Sequence, residues 1–109
     1  MDITTSKISS FASLVYSATK QIPSGRVSTY GAIAKAIDRP QAARAVGQAL
    51  NRNPCWPEVP CHRVVDSTGK LTGFATGLTN KRQLLRKEGI IIKNDNVFNF
   101  KQIFYQPKL

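Results

Sequence analysis

Histidine, cysteine and acidic residues are scarce in this sequence. Its 109 residues include one histidine, two cysteines, and six aspartates and glutamates in total. Two cysteines are too few for a disulfide framework, and with a single histidine they do not supply the ligands of a four-coordinate structural zinc site. We therefore expect no metal and no other cofactor.

Long apolar segments are also missing. No uninterrupted apolar run approaches the roughly 20 residues that a membrane-spanning helix requires, so we expect no membrane partner. Residues 1–10 are polar and lack the apolar core of a secretory signal peptide. These two absences predict an intracellular, cytoplasmic protein.

Positive charge, in contrast, is abundant. Sixteen lysines and arginines give a formal net charge of +10 and a pI near 10.2. So basic a chain of this size favours a polyanionic partner, usually nucleic acid, with an anionic lipid surface as the alternative. A length of 109 residues suits one compact domain, which we place at residues 1–109.

Apolar residues at spacings of three and four predict three helices in the first half of the chain. The apolar face of the first helix consists of Ile8, Phe11, Val15, Ala18 and Ile22. That helix ends at residues 23–25. Ser28 or Thr29 is expected to cap the second helix, and Pro40 is expected in the first turn of the third. The apolar face of the second helix consists of Ile33, Ala34 and Ile37.

The third helix has an apolar and a polar face. Its inward residues are Ala43, Val46 and Leu50, and its outward residues are Gln41, Arg44, Ala45, Gln48, Asn51 and Arg52. Two short helices joined by a tight turn, the second presenting arginine, glutamine and asparagine, are typical of a helix-turn-helix. A helix pair with a merely solvated face would look similar, but the positive charge favours DNA binding.

The middle of the chain is predicted to contain loops and short strands. Three prolines exclude a helix at residues 53–60 and make this segment a rigid loop. A strand at residues 63–65 is expected to turn at residues 66–69 and to return at residues 70–72.

A further helix and a hairpin are predicted to follow. Thr79 is expected to cap a helix that stops at Gly89, and residues 90–100 are expected to form a hairpin. Residues 106–109 are expected to be loose. Together the elements predict a mainly α fold with short β-hairpins, specifically a three-helix, helix-turn-helix or winged-helix-like DNA-binding domain.

Cys61 and His62 stand side by side after Pro60. A thiolate is a strong nucleophile, and a neighbouring imidazole can activate it. A packed, inert cysteine beside a surface histidine is the alternative interpretation. Glu88 falls in the last turn of a predicted helix, where an anion opposes the helix dipole. An accident of the surface would explain its position, and so would a partner elsewhere in the chain, such as His62.

Three separated motifs give the chain a resemblance to a known family. Residues 60–64 read PCHRV, residues 40–47 read PQAARAVG and residues 27–31 read VSTYG, and Asn53-Pro54 precedes the cysteine. In this order and spacing, they resemble the C-terminal, active-site domain of the O6-alkylguanine-DNA alkyltransferases over about residues 11–89. The family's usual N-terminal domain, with the zinc site that some members carry there, is expected to be absent.

The resemblance implies a DNA-repair enzyme that acts once. Cys61 would irreversibly take an alkyl group, such as methyl, from O6 of a guanine flipped out of double-stranded DNA. Glu88, His62 and a water are the implied relay that draws the proton from Cys61, and Asn53 would hold the loop and the helix-turn-helix. The implied partner is DNA containing O6-alkylguanine, bound by a monomer that in a prokaryote is associated with the nucleoid.

The resemblance also implies which residues contact the DNA and the base. Arg44 is expected to enter the base stack from the minor groove in place of the flipped nucleotide, and Tyr30 is expected to crowd the 3′ phosphate. The other implied DNA contacts are Ala42, Ala43, Ala45, Gly47 and Gln48. The implied base pocket consists of Val64, Phe74, Ala75, Leu50 and Trp56. The carbonyls of Cys61 and Val64 and the amide of Ala75 would read the guanine.

Two other functions remain open at this point. Alkyltransferase-like proteins share the compact architecture and bind the damaged base without transferring its alkyl group, but they characteristically lack the cysteine. A winged-helix transcriptional regulator would prefer a DNA sequence rather than a lesion. Phe74 stands where the family often has tyrosine, and Thr76 occupies a position that varies within the family.

Overall fold

The computed structural model describes residues 10–54, 56–73 and 77–108. Its helices are α1 (Ser10–Lys20), α2 (Tyr30–Ala36), α3 (Ala43–Asn51), α4 (Leu78–Lys87) and α5 (Phe100–Ile103), with a 3₁₀ turn at Cys61–Arg63. Its strands are β1 (Ser28–Thr29), β2 (Val64–Val65), β3 (Ile92–Lys93) and β4 (Asn96–Val97). Among these described helices, none has the length and apolar character needed to cross a membrane. The predicted mainly helical fold with short strands is confirmed.

The helix-turn-helix consists of α2 and α3, which pack on each other and on α1. Thr29 is the N-cap of α2, because its hydroxyl accepts a hydrogen bond from the Ala32 N–H at 2.9 Å. The prediction that Pro40 lies in the first turn of the third helix is wrong. The Ala42 N–H donates to the Arg39 carbonyl at 2.9 Å, which closes a separate turn before α3 begins at Ala43.

One buried cluster joins these three helices to the segment that carries the cysteine. Its members are Val15, Tyr16, Ala18, Ile22, Ile33, Ala34, Ile37, Val46, Leu50, Val59, Cys61 and Val64. The predicted inward faces are thus buried, except that Phe11 and Ala43 are only partly buried and Ile8 lies outside the described residues. Cys61 is therefore held against the core of the helix-turn-helix.

The strand at β2 pairs differently from the prediction. Ser28 and Thr29 of β1 lie parallel to Val64 and Val65 of β2, so the predicted return of residues 70–72 onto this strand is wrong. The turn at residues 66–69 does form, but the Asp66 carboxylate accepts the backbone N–H groups of Thr68 and Lys70 and closes the loop on itself. The chain then continues towards β4, where Lys70 bridges Asn96.

The C-terminal part also corrects two predictions. Helix α4 begins after Gly77, whose φ is +98°, so Thr79 lies inside the helix rather than at its cap. Gly89, with φ +89°, follows its C-terminal end as predicted, and β3 and β4 form the predicted hairpin.

Residues 106–108 are not loose. The Gln106 side chain donates to the Ala32 carbonyl at 2.9 Å, Pro107 is buried, and the Lys108 N–H donates to the Gln21 side chain at 2.8 Å. These contacts fasten the described end of the chain to α2 and to the residue that follows α1.

Candidate active site

Cys61 begins the 3₁₀ turn that follows the proline-rich loop. Its N–H donates to the Val59 carbonyl at 2.8 Å, and the Asn53 side-chain amide donates to the same carbonyl at 2.8 Å. The Asn53 side chain also hydrogen-bonds the thiol. Asn53 therefore fixes the loop and contacts the nucleophilic atom of the predicted site.

The surroundings of Cys61 keep its thiol protonated at rest. The side chain is buried, and this burial raises the pKa of the thiol, although the Asn53 hydrogen bond and the Lys81 ammonium oppose the rise. Nucleophilic attack by Cys61 therefore requires a group that takes its proton.

Glu88 is the centre of a compact polar cluster at the end of α4. Its Oε2 lies 2.8 Å from His62 Nε2 and 2.8 Å from Arg63 Nη2, and Arg63 Nε donates to both carboxylate oxygens at 3.0 and 3.1 Å. The Gly25 N–H donates to Oε1 at 3.3 Å. Burial alone would raise the pKa of Glu88, but the hydrogen bonds from Arg63 and His62 outweigh it and lower that pKa. Glu88 is thus an anion at neutral pH.

His62 is neutral at the same pH. Its burial lowers the pKa of the imidazole, and the charges of Arg63 and Lys81 add to the decrease, against the opposing effect of Glu88. The indole N–H of Trp56 donates to Nδ1 at 3.3 Å, so the proton of the neutral ring lies on Nε2 and is donated to Glu88.

These shifts predict that the protein loses stability in acid in two stages. Below the ordinary histidine pKa of 6.5, the unfolded chain takes up a proton at His62 that the folded chain resists, so the free energy of unfolding falls with pH. A second fall begins below pH 4.5, the ordinary pKa of a glutamate, because the folded chain holds the pKa of Glu88 below that value. Urea unfolding from pH 8 to pH 3 measures both stages. A His62→Gln variant should lose the first stage and keep the second, and a profile without a fall below pH 6.5 would contradict the assignment.

Two residues of this site were not identified from the sequence. Lys81 is completely buried in α4, and its Nζ donates to the carbonyls of Val64 and Thr72 at 2.6 and 2.7 Å. Burial lowers the pKa of Lys81 to about 8. Arg63, predicted at the start of a strand, is instead the last residue of the 3₁₀ turn and binds Glu88. The available signal for Lys81 was its spacing of four from Leu85, which is also fully buried.

The predicted DNA-contacting residues divide into exposed and covered ones. Arg44, Ala45 and Gln48 of α3 are exposed, whereas Ala42, Ala43 and Gly47 are only partly so. The Cβ direction of Gly47 points at the Tyr30 ring, 3.6 Å away, so this glycine faces an internal neighbour rather than open space. The Tyr30 hydroxyl accepts a hydrogen bond from Thr72 at 3.1 Å, and burial raises its pKa.

The predicted base pocket is described only in part. Leu50 and Val64 are buried in the core, and the Val64 carbonyl already accepts a bond from Lys81, which leaves one lone pair. Trp56 is 45% exposed, and its indole N–H donates a hydrogen bond to His62. It therefore makes a polar contact in addition to its predicted role as an apolar wall of the base pocket. Phe74, Ala75, Thr76 and Cys55 lie outside the described residues. The described part of the chain contains no group of three or more potential metal ligands.

Comparisons with known proteins agree on one family. The family model described as "6-O-methylguanine DNA methyltransferase, DNA binding domain" matches residues 10–90. A methylated-DNA–protein-cysteine methyltransferase of Methanosarcina acetivorans is 56% identical over 79 residues, which are 72% of this chain and 51% of that protein. One from Salmonella typhimurium is 49% identical over 78 residues, with 72% and 46% covered. The chain spans about half the length of these curated relatives.

Solved structures show the same similarity. The chain resembles Mycobacterium tuberculosis OGT in complex with DNA with a TM-score of 0.72 and 48% identity, over 73% of this chain and 50% of that one. It also resembles S. pombe Atl1 in complex with damaged DNA containing O6-carboxymethylguanine, with a TM-score of 0.77 and 31% identity over 98% of this chain and 100% of that one. The chain therefore belongs to the 6-O-methylguanine DNA methyltransferase family, through the DNA-binding domain of that family.

Proposed function

We propose that this protein repairs DNA by moving an alkyl group from O6 of guanine to Cys61, once per molecule. The observation that carries the proposal is the contact between His62 and Glu88, 2.8 Å apart, beside a buried cysteine. In this proposal the chain corresponds to the active-site domain of its relatives and acts as a monomer on double-stranded DNA.

The reaction needs a route for the thiol proton. Adjacent side chains rarely meet in a useful geometry, so the proton of Cys61 passes to His62 Nδ1 through a bridging water. The Glu88 carboxylate, which accepts the Nε2 proton, stabilises the imidazolium that forms. The thiolate then forms a bond to the alkyl carbon as the bond between that carbon and O6 breaks. The released guanine takes up one proton, so that a thiol and an alkylguanine become a thioether and a guanine.

The DNA must present the guanine outside the base stack. The exposed α3 residues Arg44, Ala45 and Gln48 contact the minor groove, and Arg44 fills the place of the flipped nucleotide. Tyr30 crowds the adjacent phosphate. The net charge of +10 supports this arrangement, because binding to DNA phosphates releases counterions and favours a basic surface.

The proposal predicts a covalent change of the protein. After mixing with a duplex that contains O6-methylguanine, each chain should gain one methyl group on the peptide that carries Cys61, as measured by mass spectrometry. Cys61→Ser should gain none, and an undamaged duplex should leave the wild type unchanged. An unmodified Cys61, or a methyl group found on Cys55 instead, would overturn the proposal.

A second candidate is a protein that binds the lesion without transferring the alkyl group. The similarity to Atl1, whose structure was solved in complex with damaged DNA containing O6-carboxymethylguanine, favours it at a TM-score of 0.77. This candidate predicts tight binding to the methylated duplex with Cys61 unmodified. The same mixture, examined by gel shift and by mass spectrometry, separates the two functions.

A further inference from the structure

Trp56 makes a contact with His62 that the proposed reaction does not use. Its indole Nε1 donates to His62 Nδ1 at 3.3 Å, and the two rings meet edge-on with centroids 6.2 Å apart. Trp56 is 45% exposed, whereas His62 is only 4% exposed. An exposed side chain therefore covers a buried imidazole nitrogen.

The contact between His62 and Glu88 decides which ring nitrogen can act as a base. His62 Nε2 lies 2.8 Å from the Glu88 carboxylate, which can only accept a hydrogen bond, so Nε2 carries the proton of the neutral ring. Nδ1 then holds the basic lone pair, and the indole N–H points at it. Protonation of Nδ1 would place two donors against each other, so the indole must leave before Nδ1 accepts a proton.

The charged groups near His62 either disfavour its protonation, as the Trp56 contact does, or already bind another residue. Arg63 and Lys81 disfavour a positive charge on His62, and Glu88, which favours it, is shared with Arg63. The relief of the Trp56 contact is consequently the change that most directly frees Nδ1.

We propose that Trp56 is a positioning residue that covers the proton acceptor for Cys61, so that the thiol is activated only when the indole moves aside. The proposal rests on the proposed function for its purpose, since it concerns the proton relay of that reaction. Because Trp56 is exposed, its indole can move into solvent, while His62 remains hydrogen-bonded to Glu88. A chain that reacts once would thereby protect its cysteine from unintended alkylation.

The test measures the thiol in the absence of DNA, so it is independent of whether alkyl transfer occurs. In a Cys55→Ser background, Cys61 is treated with iodoacetamide at pH 7, and its modification rate is followed by mass spectrometry. Trp56→Phe keeps an aromatic ring at this position but removes the N–H. The rate should rise about fivefold, the equivalent of one ordinary hydrogen bond.

A matched pair of variants separates hydrogen bonding from simple exposure of the thiol. If Trp56 acts through His62, Trp56→Phe should have no effect in a His62→Gln background. Equal rates for the wild type and Trp56→Phe, or an acceleration that persists without His62, would overturn the proposal.

A second measurement needs no variant and does not depend on its folding. The chain has one histidine and one tryptophan, so ¹⁵N NMR of histidine-labelled protein reports His62 alone. The neutral ring should carry its proton on Nε2, with Nδ1 as a hydrogen-bond acceptor. A proton found on Nδ1 of the neutral ring would contradict the proposal.

Discussion

Replacing Glu88 with alanine should lower the free energy of unfolding by about 2 kcal/mol, because a partly buried anion that accepts several charge-assisted hydrogen bonds is lost. The carboxylate side chain is 14% exposed, and those of its partners His62 and Arg63 are 5% and 18% exposed. Its removal leaves the Arg63 guanidinium without its anion and the Gly25 N–H without its acceptor. Water reaches these groups only in part, so solvation replaces only part of what is lost.

The measurement is urea unfolding at pH 7, with Glu58→Ala as the matched control. Glu58 is also a glutamate, but it is exposed, and its removal should change the free energy of unfolding by no more than about 0.5 kcal/mol. Cys61 should in addition react more slowly with iodoacetamide in Glu88→Ala, because the imidazolium of the relay loses its counterion. Equal stability of the two variants would show that the cluster is not a structural element.

The position of Glu88 could be anticipated because its local environment is unfavourable. An anion at the C-terminal end of a helix opposes the helix dipole, and this conflict suggested a partner elsewhere in the chain. The partner Arg63 could not be anticipated, since two following valines made its segment resemble a strand. The 3₁₀ turn at Cys61–Arg63 instead lets His62 and Arg63 both reach the same carboxylate.

Periodicity predicted the helices well and the sheet poorly, for a physical reason. The faces of α1, α2 and α3 repeat every three to four residues, and burial of such a face largely determines a helix. Strands β1 and β2 have only two residues each, too few for a period, and their parallel pairing links residues 28 and 64. That pairing follows from how α2 and the cysteine loop pack, which is a tertiary property.

The order of residues 106–108 also could not be predicted from the local sequence pattern. Residues 106–108 have a composition typical of a loose end, yet Pro107 is buried and the Gln106 side chain binds a carbonyl of α2. A few long-range hydrogen bonds hold this segment, and no local pattern encodes them. Lys81 could not be predicted for a related reason, because lysine is seldom buried and its partners here are backbone carbonyls.

Replacing Lys81 with methionine should destabilise the fold by about 2 kcal/mol, because two carbonyls lose a charged donor. Methionine keeps most of the side-chain volume, so the loss reflects hydrogen bonding rather than a cavity. Urea unfolding measures the change. The control is Lys87→Met on the same helix, since Lys87 is exposed and should tolerate the substitution with little effect.

The same substitution should make Cys61 less reactive, which a purely structural lysine would not do. The Lys81 ammonium lowers the pKa of the thiol, so its removal raises that pKa and slows iodoacetamide at pH 7. The pH dependence of the iodoacetamide rate tests the direction of this effect independently. Because the pKa of Lys81 is about 8, its charge and its support of the thiolate fade as the pH rises through that value. The rates of the wild type and Lys81→Met should therefore differ most below pH 8 and converge above it. A constant ratio from pH 6 to pH 10 would show that Lys81 holds the two carbonyls without acting on the cysteine.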